Sequence, residues 1–418
     1  MEEVLIPRPM RIAIIADSFP PLKNSAAVLV FSLAEVMASE GHDVLVITPS
    51  AEIEASYLED DFGAFKVLRI HCGKIKSHYK FMRGISELSL FFSLPHQFGK
   101  TPHSKSEWDM VIWYSPTIFL GGLVKRLKRR AKFSYLILRD IVPDWMVDIG
   151  LMRRGPSYFL LKWFERFQYR LADVIGVQSP GNKKYFEKLY LPNLKKLEVL
   201  PNWMPSTSTT HHFTDDGHSY TNLKHTILAG RKIFIYAGNL GEAQGIENFS
   251  QVILSLKDRS DCGFLIIGRG SKKEWLHHFI ESHDLKNVLL LDEVDIVTLS
   301  MYYRQCHGGL VFLDPKHQSH NIPGKFISYL EAGLPVAACV NPGNDLIKII
   351  VDEKLGVVAG TPVEFSTNLI SLMSAIDDNV AYGTRARIYY ENHYQPSSIA
   401  KQIFASALGD GIQNNFNK

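Results

Sequence analysis

Ile322-Pro323-Gly324-Lys325-Phe326, followed by Ser328-Tyr329-Leu330 and Gly333-Leu334-Pro335-Val336, reads as a loop that opens a helix, a lysine near the helix start, and a Gly-x-Pro exit into an apolar run. A helix N-terminus presents unpaired N–H groups and a partial positive charge, and a lysine there adds a full one. The stretch is thus a ready anion site. It is equally an ordinary loop–helix–strand unit, and the rest of the chain has to decide.

Working outward, the same unit recurs. Residues 233–237 read as a strand, Gly238, Gly241 and Gly245 as a turn, and a helix starts at Ile246. Strand-like runs at 264–267, 288–291, 309–313 and 336–339 continue the pattern. The first half carries its own set at 11–16, 44–48, 67–70, 110–113, 135–138 and 174–177, with a helix over 26–39 that Gly41 stops. Apolar runs alternating with helices predict parallel sheets covered on both faces. Residues 205–228, rich in Ser, Thr, His and Asp, show no periodicity and read as linker. The expected fold is α/β, with two Rossmann-like doubly wound domains facing across a cleft. They span 1–204 and 231–389, with a linker at 205–230 and a last helix, about 390–418, packed back on the first domain.

Composition narrows the function. A net charge of +3 over 418 residues demands no nucleic-acid partner. The four cysteines are scattered, with no metal-ligand spacing, which suits free thiols in a reducing cytoplasm. Met1-Glu2-Glu3 lacks the basic n-region of a signal peptide, and no apolar run reaches the roughly 18–20 residues of a membrane span.

Three strand-end loops of the second domain are candidates for one ligand. The first holds Gly238, Asn239, Leu240, Gly241 and Gln244, whose glycines would let backbone N–H groups approach a phosphate. It has neither P-loop nor Gly-x-Gly-x-x-Gly spacing. The second is Gly268-Arg269-Gly270, where Arg269 reads as a bidentate phosphate partner or a solvated turn arginine. The third is the loop of Lys325. Asp292-Glu293-Val294-Asp295 could suggest a metal cluster, but a helix start is the preferred reading, because a helical pattern begins near Val297. In the first domain, Arg139 and Asp140 follow a strand and read either as a cleft wall or as an ion pair fixing a turn.

Two features suggest an anionic membrane surface. Segment 81–94 is apolar, with Phe91 and Phe92, and a basic cluster including Arg126, Arg129 and Arg130 follows residues 118–124. The alternative is a core helix plus a solvated charge run. The aromatic stretch 158–169 reads as a core helix.

Over nearly its whole length the chain resembles glycosyltransferase family 4, of GT-B fold. The resemblance runs through Glu40-Gly41-His42-Asp43-Val44, Ala172-Asp173-Val174-Ile175, Leu200-Pro201-Asn202-Trp203 and Gly333-Leu334-Pro335-Val336. Within that family it is most similar to bacterial N-acetyl-L-fucosamine transferases, through Arg139-Asp140-Ile141-Val142-Pro143-Asp144-Trp145, Val177-Gln178-Ser179-Pro180-Gly181-Asn182 and His320-Asn321-Ile322-Pro323-Gly324-Lys325-Phe326. Departures accompany it. The two glutamates usual around this loop are His320 and Ser328 here, and the usual arginine and lysine of the glycine loop are Asn239 and Gln244.

The resemblance implies a retaining, metal-independent glycosyltransferase without a cofactor. It implies transfer of a deoxyamino sugar from a UDP-sugar to a polyprenyl-diphosphate-linked saccharide, in O-antigen or capsule synthesis at the bacterial inner membrane. The expected catalytic residues are Lys325, Arg269 and Asp140. Donor contacts are expected from Gly238, Asn239, Leu240, Gly241, Gln244, Glu293, Val294, His320, Asn321, Ile322, Pro323, Gly324 and Ser328. The acceptor and membrane side is expected at Arg139, Phe91, Phe92, Arg126, Arg129 and Arg130. The alternatives are a GT-B sugar-nucleotide epimerase or hydrolase, and an impaired nucleotide-sugar-binding subunit.

Overall fold

The computed structural model describes residues 8–22, 24–73, 80–115, 117–139, 141–148, 152–190, 196–205, 220–314, 322–378 and 381–409. These form two compact units. One is built from the described residues of Met1–Gln178, Asn182–Pro201 and Ile399–Lys418, the other from those of Ser179–Gly181 and Asn202–Ser398.

The first unit holds an eight-stranded sheet. Its strands are β1 (Arg11–Ile15), β2 (Asp43–Ser50), β3 (Tyr57–Asp61), β4 (Lys66–His71), β5 (Trp108–Ser115), β6 (Ala131–Leu138), β7 (Val174–Val177) and β8 (Leu197–Val199). They lie in the order β3-β4-β2-β1-β5-β6-β7-β8, parallel except for the antiparallel β3–β4 pair at one edge. β1, β5 and β6 are buried nearly throughout, as central parallel strands require. The chain end joins this unit beside β8: Gln402 Nε2 donates to Val199 O at 2.7 Å and Ser406 Oγ to Glu198 Oε2 at 2.6 Å.

A buried polar network backs the loop after β6. Lys162 Nζ lies 2.5 Å from Asp144 Oδ2 and 2.5 Å from Glu165 Oε2, and Tyr158 OH donates to Asp144 Oδ1 at 2.7 Å. Three of these residues, Tyr158, Lys162 and Glu165, lie on the helix Pro156–Leu171, which therefore turns its ions inward. The reading of that helix as an ordinary core helix needs correction: Phe159, Leu160 and Trp163 are 65%, 50% and 51% exposed.

The second unit holds a wholly parallel sheet of β9 (Lys232–Ala237), β10 (Cys262–Ile267), β11 (Val288–Leu291), β12 (Gly308–Phe312), β13 (Val336–Cys339) and β14 (Gly356–Ala359), in the order β11-β10-β9-β12-β13-β14. The chain winds outward from β9 to β11, then returns to β9's other side with β12. The switch point therefore falls between β9 and β12, where ligands of such sheets bind. Part of the expected linker is ordered here, with Leu223 and Leu228 fully buried.

β12 registers Gly308 against Phe234 and Gly309 against Ile235. Beyond that pair a side chain bridges the strands. Tyr329 OH accepts from the Ala237 N–H at 3.1 Å and donates to Leu310 O at 3.1 Å. The ring passes directly over Gly309, where a Cβ would fall 2.2 Å from it. Tyr329→Phe leaves a buried donor and acceptor unpaired and is expected to cost the second unit about 2 kcal/mol. Urea unfolding reads this, and an unchanged midpoint would show the bridge to be dispensable.

Candidate functional site

The site grows from the β9–β12 switch point. After β9 the chain makes the loop Gly238 to Gly245, and the helix Gly324–Glu331 follows β12 with Pro323 as its N-cap. Lys325, second in that helix, reaches back to the first loop. Its Nζ donates to Gln244 Oε1 at 3.0 Å and sits 3.7 Å from the centroid of the Tyr236 ring. Tyr236 OH in turn donates to Asn239 O at 2.8 Å and approaches Gln244 Oε1 at 3.2 Å. Burial pulls the Lys325 ammonium down from the ordinary lysine range to about 7. The cause is desolvation: its close partners are a neutral amide and a ring face, and neither balances a full charge.

The loop after β10 is fused to the first by its backbone. The Gly238 N–H donates to Ile267 O at 2.9 Å, the Leu240 N–H to Arg269 O at 2.8 Å, and the Lys272 N–H to Leu240 O at 2.8 Å. The approach is so close that a Cβ on Gly268 would lie 1.9 Å from Gly238 O. This corrects one expectation: the Gly238 and Leu240 amides are spent on the neighbouring loop and do not face a phosphate. Among the described residues, the Asn239 and Gly241 amides have no backbone acceptor.

The other expected donor contacts divide. Ser328 Oγ donates to Gly324 O at 3.4 Å, a weak bond that a ligand hydroxyl would replace at little cost. Gly324 is exposed at the helix start. Arg269 has its side chain 80% exposed and paired with Glu293 at 2.8 Å, so its guanidinium is not gathered into the Lys325 cluster. The side chains of Leu240 and Ile322 are buried in hydrophobic cores and that of Val294 packs against one, so none of the three offers a ligand contact through its side chain. His320 and Asn321, like Asp140 in the first unit, lie outside the described residues.

The acidic run is also committed. Asp295 caps the helix Ile296–Tyr303, accepting from Val297 N at 2.9 Å and Thr298 N at 3.0 Å, and Asp292 pairs with Lys273. Among the described residues the grouping with metal-ligand geometry is His277, His278 and Glu281, exposed on the helix Lys273–Ser282 and drawn from none of the three loops.

Two residues of the site escaped the sequence reading. Tyr236 fell inside an expected strand and Tyr329 inside the opening stretch, and neither was given a role. The signal was available in Tyr236, a hydroxyl inside an otherwise apolar buried strand, which needs a polar partner.

The first unit corrects the acceptor-side expectations. Arg139 is buried, with NH1 donating to Leu200 O at 2.8 Å and NH2 to Pro201 O at 3.1 Å. It is a pin for the loop after β8, not an acceptor contact. Phe91 is half-buried among Phe164, Phe167 and Trp163, and Arg126 donates to Pro95 O at 3.0 Å. Phe92 is 65% exposed, and Arg129 and Arg130 are exposed beside a surface hollow of about 750 Å³ that Lys105 and Lys132 also line.

Comparison with known proteins bears on this arrangement. Residues 231–375 match the family model described as Glycosyl transferases group 1. The chain is 25% identical over 345 residues to a protein named as a colanic acid biosynthesis glycosyl transferase, WcaI of Escherichia coli (strain K12), covering 78% of this chain and 82% of that one. It is 38% identical over 294 residues to a GDP-mannose-dependent alpha-mannosyltransferase of Corynebacterium glutamicum, covering 65% of this chain and 60% of that one. Its fold is that of Anabaena HepE, solved in complex with UDP, at a TM-score of 0.62 and 12% identity over 96% of this chain and all (100%) of that one. The chain has the two-domain α/β GT-B fold, and the match to the glycosyl transferases group 1 model falls within its second unit.

Proposed function

We propose that the protein is a retaining glycosyltransferase that binds the diphosphate of a nucleotide-sugar at Lys325. The observation that carries this is the Lys325 amine at the β9–β12 switch point, held between Tyr236 and Gln244 with no carboxylate paired to it among the described residues. A leaving nucleoside diphosphate supplies the missing charge. Lys325, the Asn239 and Gly241 amides and the start of the Gly324–Glu331 helix stabilise that charge as it develops. Arg269 would join only after leaving Glu293.

The donor is UDP-N-acetyl-L-fucosamine or a related deoxyamino sugar, and the acceptor a polyprenyl-diphosphate-linked saccharide in surface-polysaccharide assembly at the inner leaflet. Motif similarity around His320 to Phe326 supports the donor, and the WcaI likeness supports the pathway class. HepE's bound UDP favours uridine, whereas the mannosyltransferase relative takes GDP-mannose, so a donor screen must include both bases. Ser328 in place of a carboxylate leaves a hydroxyl for the ribose or sugar.

Three outcomes test this reading. Lys325→Ala is expected to lower kcat/KM by roughly 30-fold, about 2 kcal/mol of transition-state stabilisation; near-normal turnover would remove Lys325 from the site. EDTA is expected to leave turnover intact, because lysine supplies the counter-charge and Asp292, Glu293 and Asp295 are spent on a cap and ion pairs; loss restored by Mg²⁺ would contradict it.

The third is a pH dependence. Free Lys325 titrates near 7, and a bound diphosphate stabilises the ammonium and raises that value. Affinity is then full below pH 7 and falls above it, with proton uptake on binding. Calorimetry should find UDP binding roughly ten-fold or more weaker at pH 8.5 than at 6.5. Lys325→Met should flatten the profile, and a flat wild-type profile would refute the assignment.

A further inference from the structure

The helix Pro156–Leu171 buries ions beside the core aromatics Phe164 and Tyr169 and leaves an apolar stripe outside. Its inward face holds Lys162, Glu165 and Gln168, all buried, and its outward face carries Phe159, Leu160 and Trp163. Those three recur at i, i+1 and i+4, one contiguous outer stripe. Trp163 stacks on Phe167 at 5.5 Å and meets Phe91 at 6.0 Å, and Phe91 meets Phe92 at 5.1 Å. The stripe therefore continues onto the helix Lys80–Phe98 through Phe92. Lys125, on the helix Gly121–Lys128 between them, holds its amine 5.6 Å from the Phe167 centroid.

Charge identifies the occupant. On these three helices the described, exposed Lys, Arg, Asp and Glu side chains are Lys125, Arg166 and Arg170, all basic, while the acid of the central stretch, Glu165, is fully buried. A second copy seated face to face would bring these cations together with no exposed acid among the described residues of these helices to meet them, which is costly. An anionic bilayer matches both features: Phe and Trp settle at the headgroup–acyl boundary while Lys and Arg meet phosphates.

We propose that the outer face of Pro156–Leu171, with Phe92 beside it, docks the protein on an anionic lipid bilayer. Phe159, Leu160 and Trp163 enter the headgroup boundary, and Lys125, Arg166 and Arg170 contact lipid phosphates. This deepens the lipid-linked-acceptor reading and relies on it only for which membrane is met. It moves the docking element away from Phe91 and Arg126, which are held within the unit.

The test is co-sedimentation of the full chain with vesicles of phosphatidylcholine alone or mixed with phosphatidylglycerol. Wild type should pellet with the mixed vesicles. Phe159→Ser/Leu160→Ser/Trp163→Ser should reduce the bound fraction at least ten-fold while keeping thermal stabilisation by UDP, which reports the second unit. Lys125→Glu/Arg166→Glu/Arg170→Glu should lose the phosphatidylglycerol dependence, a second route should the first variant misfold. Absence of wild-type pelleting, or a folded triple-serine variant that pellets like wild type, overturns the proposal. So does a wild-type dimer that the serine changes split without altering vesicle binding. Wild type that pellets but gains no stability from UDP would instead count against the donor reading alone.

Discussion

Everything at the candidate site depends on how β9 and β12 are held apart. Two parallel neighbours would ordinarily continue their ladder, and the crevice between them would close. Here the Tyr329 hydroxyl stands in for the next rung, taking the Ala237 amide on one side and the Leu310 carbonyl on the other. The strands separate without leaving buried backbone groups unpaired, which the interior would not tolerate. Gly309 is the condition for this, since the ring occupies the space of its side chain. Tyr329 belongs to the same helix as Lys325, so the wedge that opens the crevice also sets the helix that arms it.

The electrostatics follow from that placement. A lysine near a helix start already sits in the positive end of the helix dipole. Lys325 then loses water to the Tyr236 ring and Gln244, and no acid replaces it. The acids of the loop after β11 are used elsewhere: Glu293 on Arg269, Asp292 on Lys273, Asp295 on a helix cap. The cation is therefore poised against its own environment. A site paired with a carboxylate would be more stable empty and weaker for a phosphate, because the incoming anion would have to displace a partner. Gln244 contributes its carbonyl oxygen, which receives Lys325 and orients it.

Much of this was legible in the sequence, for physical reasons that also mark where legibility ended. Central strands such as β1, β9 and β10 are unbroken apolar runs, because parallel strands are buried on both faces. The edge strand β3 (Tyr57–Asp61) was missed because its sequence is acidic and half-exposed, as edges tend to be. Lys325 stood out because its letters alone describe a helix start. Arg139 did not behave as its neighbours suggested: a strand-end arginine looks the same whether it meets a ligand or, as here, two carbonyls some sixty residues away. The helix Pro156–Leu171 failed for another reason. Its buried face mixes Phe164 and Tyr169 with Lys162, Glu165 and Gln168, so residue type does not mark which face is inner.

That helix also connects the fold to a cost. Burying Lys162 with Asp144 and Glu165 removes three charges from water, and apolar side chains in their place would commonly be no less stable. Phe159 and Trp163, meanwhile, are left in solvent. Rotating the helix by half a turn would hydrate the ions and bury Phe159 and Trp163 but expose Phe164 and Tyr169, so hydrophobic burial alone does not choose the orientation. What holds it is the tie to Asp144, the first residue of the short helix Asp144–Asp148 that follows the loop after β6: Lys162 and Tyr158 grip that carboxylate from the inner face. The inward ions therefore specify orientation more than stability. The same choice that anchors the strand-end loop turns the aromatic stripe outward, so loop placement and the exposed docking face are two consequences of one buried contact.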